Sequence, residues 1–389
     1  MKELPQEFIQ QAGDGTCLVG CPSQLTADSS LEEILIFARR QGASDVHVCS
    51  GACVMLRKGG VFVPATKTPL HGERVTAILK NGLPSDKWAI AEMTGDMEYV
   101  HVIPGAGRYR SVVTRQRLGW DMTVRLIDMK IRSFEESGMP IACQGFTKWA
   151  QGLVLIAGPA GCGKTSTLAT LVEMINQTRQ DHIIVIEEPI EVVYKPKRCQ
   201  VTQREIGVHT LSATNALKAA LREDPDIIVV GELRDPHMIG LAVSAAETGH
   251  LVFGTMNTND ASQTVATLIN SFEPVEQPII RNMVAESLRG VVCQQLIPRL
   301  DGTGVVPAYE VLVTGAAVTA QIKKGQERKL NNVIATGRAS GMILLDYAMQ
   351  ELVARGVISG QEAFRRAIDP NMFVQYAPSK VMLIERNYA

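Results

Sequence analysis

The chain has 389 residues, a length for two or three domains with room for a sizeable core. Its 39 Lys plus Arg stand against 40 Asp plus Glu, and a net charge of −1 gives no electrostatic reason to expect nucleic acid as the main partner. No apolar run approaches the ~18 residues needed to cross a bilayer, and the opening MKELPQEFIQ lacks a signal-peptide core, so the expectation is a cytoplasmic protein without direct membrane insertion.

Residues 1–28 show no sustained period, contain Gly13, Gly15, Gly20 and Pro22, and read as an N-terminal extension. A first domain is expected over 29–128. Ser29 or Ser30 can cap the helix LEEILIFARRQ, which puts Leu31, Ile34, Leu35 and Ala38 on one face, Glu32 and Glu33 in its first turn and Arg39 and Arg40 in its last. DVHVC, VMLRKGG and VFVPA then predict three short strands, and a helix follows from about Glu73 to Leu79. Asp45 and His47 read as a satisfied polar pair in preference to metal ligands.

Strand patterning returns from Asp96 to Leu126, broken by a turn at Pro104 to Gly107, and holds five arginines: Arg108, Arg110, Arg115, Arg117 and Arg125. In a strand Arg108 and Arg110 share one face, as do Arg115 and Arg117, so rows of guanidinium groups could meet phosphate oxygens; ordinary surface charge is the competing reading. Residues 129–148, with Ser133, Gly138, Pro140 and Gly145, read as a linker.

A second domain, 149–315, opens on the most informative stretch. The uncharged run Leu153 to Ala157 predicts a strand buried on both faces, and Gly158 to Thr165 then reads G-x-x-x-x-G-K-T, with the helix Ser166 to Ile175 behind it. Gly158, Gly161 and Gly163 let the backbone turn its N–H groups toward an anion, Lys164 supplies a point charge for the outer phosphates, and Thr165 places a hydroxyl where Mg²⁺ would sit. The candidate nucleotide contacts are thus Gly158, Pro159, Ala160, Gly161, Cys162, Gly163, Lys164, Thr165 and Ser166.

Three later strands follow the alternation of a doubly wound α/β domain, in which ligands sit at the carboxyl ends of strands. HIIVI delivers Glu187 and Glu188, DPDIIVVGELRD delivers Glu232, and GHLVFGTMNTNDA delivers Thr255 and Asn257. Asp226 precedes its strand, ~20 Å from Glu232, so only Glu232 can reach a nucleotide. Strand polarity puts His250 far from the phosphates and Asn257 near them, and both are kept as candidate nucleotide contacts.

Two C-x3-C pairs, Cys17 with Cys21 and Cys49 with Cys53, could in principle hold Zn²⁺; idle thiols are the expectation, with Cys162 occupying space within its loop and no disulfides. The region 316–389 reads as helical, through TAQIKKGQERKLNNVIATG, MILLDYAMQELVARG and SGQEAFRRAI.

The set GPAGCGKT, IEEPIE, VTQREIG, ALREDPDIIVVGELRD and ETGHLVFGTMNTNDA resembles the secretion-ATPase superfamily of type II and type IV secretion and type IV pili, most closely its twitching-motility retraction ATPases. The resemblance implies a RecA-like P-loop ATPase domain behind a smaller PAS-like α+β domain, with C-terminal helices, working as a homohexamer on ATP and Mg²⁺. It implies that Glu187 positions the attacking water, that Glu232 supports the Mg²⁺ that Thr165 also meets, and that first-domain arginines, here Arg110 and Arg125, reach nucleotide. An inner-membrane pilus platform protein is the implied partner, bringing the ring to the cytoplasmic face of that membrane. Two departures stand out: Asn257 replaces the usual second histidine of the family, and AVTAQIKKGQ replaces its AIRNLIRE-like motif. The alternatives are a short Dot-like type IV secretion ATPase and a low-turnover nucleotide-binding regulator.

Overall fold

The computed structural model describes residues 24–58, 61–128 and 130–377, in two units that divide between Lys130 and Ile131. Most of the N-terminal extension, with Cys17 and Cys21, lies outside the described residues.

In the first unit the helix Leu31–Arg40 starts as its residues dictate. The Ser30 side chain accepts from Glu33 N, the Glu33 carboxylate accepts from Ser30 N at 2.7 Å, and Leu31, Ile34, Leu35 and Ala38 are buried. At the other end Arg39 donates to Ile127 O (3.0 Å), Arg108 O (2.9 Å) and Tyr109 Oη (3.2 Å), binding the helix to the sheet. That sheet comprises β1 (Asp45–Cys49), β2 (Met55–Lys58), β3 (Val61–Pro64), β4 (Asp96–Ile103), β5 (Gly107–Gln116) and β6 (Gly119–Leu126). Its order is β3-β2-β1-β6-β5-β4 and every pairing is antiparallel. Alternate residues point to a core of Val46, Val48, Tyr109, Val113, Met122 and Val124, leaving Arg108 and Arg110 on the other face. Helices Gly72–Gly82 and Ser85–Thr94 complete this α+β unit.

The second unit contains seven strands, β7 (Gly152–Ala157), β8 (His182–Glu187), β9 (Gln200–Glu205), β10 (Ile227–Val230), β11 (Leu251–Met256), β12 (Leu288–Pro298) and β13 (Val305–Val313). They run β13-β12-β7-β11-β10-β8-β9, parallel throughout except for the β12–β13 hairpin. The uncharged run in β7 has a direct cause. Leu153, Leu155 and Ala157 pack into one core with Val243, Val265 and Leu288, while Val154 and Ile156 pack into another with Leu168, Leu171 and Phe253. A strand covered on both faces has no polar side, and each such side chain contributes about 1.5–3 kcal/mol by leaving water.

The stretch expected as a linker belongs, from Ile131 on, with this second unit. Ser133 caps the short helix Phe134–Ser137, Ala142–Phe146 follows, and Phe134, Met139, Cys143 and Phe146 are buried against Val154 and Ile156. Glycine and proline here mark tight turns between packed pieces. C-terminal to β13, helices Ala316–Lys323, Leu330–Thr336, Leu345–Ala354 and Gly360–Arg366 are present, the later two sharing a core with Ile297, Ala308 and Phe373. Among the described residues no helix is long and apolar enough to cross a membrane.

Candidate functional site

Between β7 and the helix Lys164–Thr178 the chain makes a turn that only glycine permits at two places. Gly158 has φ 146°, and a Cβ there would lie 2.5 Å from both Cys162 Sγ and Gln294 O; Gly163, with φ 94°, forms the N-cap of the helix. No side chain caps that helix start, so its first N–H groups and its positive dipole end face the loop. Gln294 of β12 braces the loop from beneath: Nε2 donates to Cys162 O at 2.6 Å and Oε1 accepts from Thr167 Oγ1 at 2.5 Å. Cys162 packs under Gly158, where burial pushes its thiol up.

Strand register gathers the acidic residues at the same edge. Ala157 pairs with Met256, Val230 with both Gly254 and Ile186, so Gly158, Asn257, Gly231 and Glu187 all sit at the carboxyl ends of adjacent strands. Glu187 is only 6 % exposed and lies so close to Gly231 that a Cβ on that glycine would approach it to 3.3 Å. Thr255 Oγ1 donates to Gly231 O, fixing the turn from β10 to Glu232.

A hydrogen-bonded chain crosses this edge. Lys164 Nζ donates to Gly158 O (2.7 Å), Pro159 O (3.1 Å) and Asn257 Oδ1 (2.7 Å). Asn257 Nδ2 donates to Glu232 Oε1 at 2.6 Å, Arg234 Nε donates to Glu232 Oε2 at 3.0 Å, and Arg234 extends to Glu188 Oε2 at 3.4 Å. An anion-sized cradle of backbone amides, one lysine and neighbouring carboxylates can bind phosphates and orient a water near them.

Residues 100–372 match the family described as Type II/IV secretion system protein. This chain belongs to that family. It is 38 % identical over 343 residues to the type IV pilus retraction ATPase PilT of Pseudomonas aeruginosa, covering 88 % of this chain and 99 % of that one. It is 40 % identical over 313 residues to a twitching motility protein of Neisseria gonorrhoeae, covering 80 % and 84 %. Its fold matches the crystal structure of the pilus retraction motor PilT with bound ADP at a TM-score of 0.78, 34 % identity, and coverage of 88 % and 98 %.

Within this secretion-family chain the other expected residues have the following places in their own units. His250 precedes β11, at the opposite end from Asn257, and its Nδ1 lies 3.0 Å from Ala245 O. Six strand residues, about 20 Å, separate the two, so within this chain His250 stands away from the loop and lies against the end of the preceding helix. Arg110 and Arg125 belong to the first unit and are directly opposite in the β5–β6 register, where Arg110 pairs with Glu98 and Arg125 with Asp45 at 3.0 Å. Two like charges side by side are unfavourable, and these carboxylates offset them. Asp45 is thereby a salt-bridge partner of Arg125, while His47 Nδ1 lies 3.3 Å from Thr123 Oγ1, so each residue of the expected polar pair has a partner of its own. Arg117 falls in the β5–β6 turn and does not share a strand face with Arg115, whose guanidinium lies over Trp120.

The residues present fit Mg²⁺ without a protein cage. The half-buried Thr165 hydroxyl and the Glu232 carboxylate are hard oxygen donors at the loop, and Mg²⁺ takes most of its six ligands from water and phosphate. Among the described residues no group of three or more His, Cys, Asp and Glu could hold a metal ion. Cys49 and Cys53 are free, and burial, with Asp121 beside it, pushes the Cys49 thiol up to about 11. Sequence reading missed Gln294 and Arg234; a glutamine inside the apolar run VVCQQLI was the one signal for the former.

Proposed function

We propose that this chain is a Mg²⁺-dependent ATPase that works as a homohexameric ring and drives retraction of a type IV pilus. The observation that carries the reading is the carboxyl edge of the parallel sheet, which presents Lys164 and an uncapped helix start after β7 and the buried Glu187 at the end of β8, with β11 and β10 between them. Phosphoryl transfer needs positioning and charge stabilisation more than covalent chemistry. Lys164 and the amides of residues 160–166 hold the β and γ oxygens, and Glu187 orients the water and accepts its proton. Mg²⁺, when bound beside Thr165 and Glu232, neutralises charge on those oxygens. Arg110 and Arg125 add positive charge to the γ-phosphate at one stage of the cycle, exchanging Glu98 and Asp45 for phosphate oxygens.

The names of the relatives, a retraction ATPase and a twitching motility protein, support the pilus role. In this reading the C-terminal helices meet an inner-membrane platform protein, which holds the ring at the cytoplasmic face of that membrane. ATP hydrolysis by the purified chain with Mg²⁺, compared with Lys164→Ala, tests the enzymatic core. The wild type is expected to exceed the variant by about 10²-fold or more, in line with losing a transition-state charge clamp. Equal rates would remove the ATPase reading and leave a nucleotide-binding regulator.

A further inference from the structure

The chain Lys164–Asn257–Glu232 has a polarity that the ATPase reading leaves unused. We infer that Asn257 is a positioning residue for turnover, its amide fixing the phosphate-loop lysine and the Glu232 carboxylate relative to one another; the inference deepens the ATPase reading and rests on it. Oδ1 accepts from Lys164 Nζ at 2.7 Å and Nδ2 donates to Glu232 Oε1 at 2.6 Å. An amide has one accepting arm and one donating arm, so a single orientation serves both neighbours. Turned over, its NH2 would face an ammonium and its oxygen a carboxylate.

The backbone beneath Asn257 is held on both sides. Met256 before it is buried in β11, and after it Asp260 Oδ1 accepts from Gln263 N at 2.7 Å to cap the helix Ala261–Asn270. Asn259 N donates to Gln263 Oε1 at 3.0 Å, and the Thr258 and Thr264 hydroxyls meet at 2.7 Å. A side chain on so fixed a base transmits a displacement of its partner instead of absorbing it.

The charges beyond it alternate: Lys164 positive, Glu232 negative, Arg234 positive, Glu188 negative. Phosphate oxygens compete with Asn257 Oδ1 for the same ammonium. When Lys164 turns to phosphate the amide loses the donor on one arm and keeps Glu232 on the other, so loop occupation changes the hold on Glu232 and, through Arg234, on the residue next to Glu187. Because the amide does not titrate, this hold is independent of pH near neutrality.

The test uses the full chain with Mg²⁺ and two substitutions. Asn257→Asp keeps size but turns both arms into acceptors, holding Lys164 as an ion pair and repelling Glu232. ATP affinity, read by displacement of a fluorescent ATP analogue, is expected to weaken about tenfold, and kcat to fall about a hundredfold. Asn257→His keeps one acceptor and one donor in its neutral tautomer. Its turnover should recover to within about tenfold of wild type at pH 8, and its ratio to wild type should drop as pH falls through ~6.5, where the imidazolium can no longer accept from Lys164. A side chain that only fills space predicts an Asp variant within about twofold of wild type and a pH-independent ratio for His, and either result overturns the inference. If wild type hydrolyses no ATP, the ATPase reading fails by itself, and the affinity of Asn257→Asp still decides whether Asn257 governs Lys164.

Discussion

Lys164 carries its charge where three oxygens already hold it, so its Nζ is aimed before any phosphate arrives. That preorganisation depends on a loop shape that needs glycine at Gly158 and Gly163. Gly158→Ala would place a methyl group 2.5 Å from Cys162 Sγ and from the Gln294 carbonyl, at a φ of 146° that L-residues avoid. The expected outcome is a loss of about 1–3 kcal/mol in stability together with a collapse of ATP affinity, checked by thermal unfolding and by nucleotide titration of the same sample. Unchanged affinity would mean that the cradle tolerates a side chain and that Gly158 is only a convenient turn. His250→Ala is expected to leave affinity within about twofold, since the residue stands at the far end of β11.

At the scale of elements, the buried β13 carboxylate Glu310 holds two helix starts, accepting from Ala261 N at 2.7 Å and from Leu345 N at 3.2 Å. Burial, the largest cause, pushes it up to about 7, with Asp260 and Asp346 adding to the effect and the two backbone bonds opposing it. A carboxyl raised in the folded state favours folding when protonated. Its contribution is therefore full below the ordinary glutamate range and is lost as pH rises through about 7, a change of up to roughly 3 kcal/mol. The difference in melting temperature between pH 5 and pH 8 should be larger for wild type than for Glu310→Gln; equal differences would assign the pH dependence to other groups.

These elements were unevenly legible in the sequence. The strands that lead to Glu187, Glu232 and Asn257 were readable because apolar runs bounded by glycine or proline leave little else, and the glycine–lysine loop located itself. The helix Ser85–Thr94 left no period because only Trp88 and Ala91 are buried along it. Pieces of four or five residues, such as Phe134–Ser137, cannot display a helical period at all, so their glycines and prolines suggested a linker. TAQIKKGQERKLNNVIATG read as one helical stretch, but the chain turns at Gly325 and resumes at Leu330. The bonds from Arg234 to Glu188, Asn257 to Glu232 and Gln294 to Cys162 join residues 25 to 132 positions apart, and no local pattern encodes such pairings.

For the whole molecule, the proposed ring gives Arg110 and Arg125 their purpose. Both carry carboxylate partners in the first unit, whereas the phosphate loop belongs to the second, so in this reading the loop binds ATP without them and they exchange their carboxylates for a stronger anion. Arg110→Ala and Arg125→Ala should each bind ATP with near-normal affinity while turnover falls about 10³-fold or more, as loss of an arginine finger does. If the arginine acts across a subunit interface, mixing in subunits with intact arginines but Lys164→Ala should restore turnover, because each defective subunit then supplies what the other lacks. Variants that turn over like wild type would make the first unit a spacer.

The central claim is that the cradle at Lys164 hydrolyses ATP with Glu187 as the group that orients water. Glu187→Gln tests it most directly, since the amide keeps the volume of a residue that is 6 % exposed and removes its charge and its capacity to take a proton. With Mg²⁺ present, ATP affinity should stay within about threefold of wild type while kcat falls by about 10²-fold or more. A Glu187→Gln protein with near-normal kcat would contradict the account and move the catalytic role to Glu188 or Glu232.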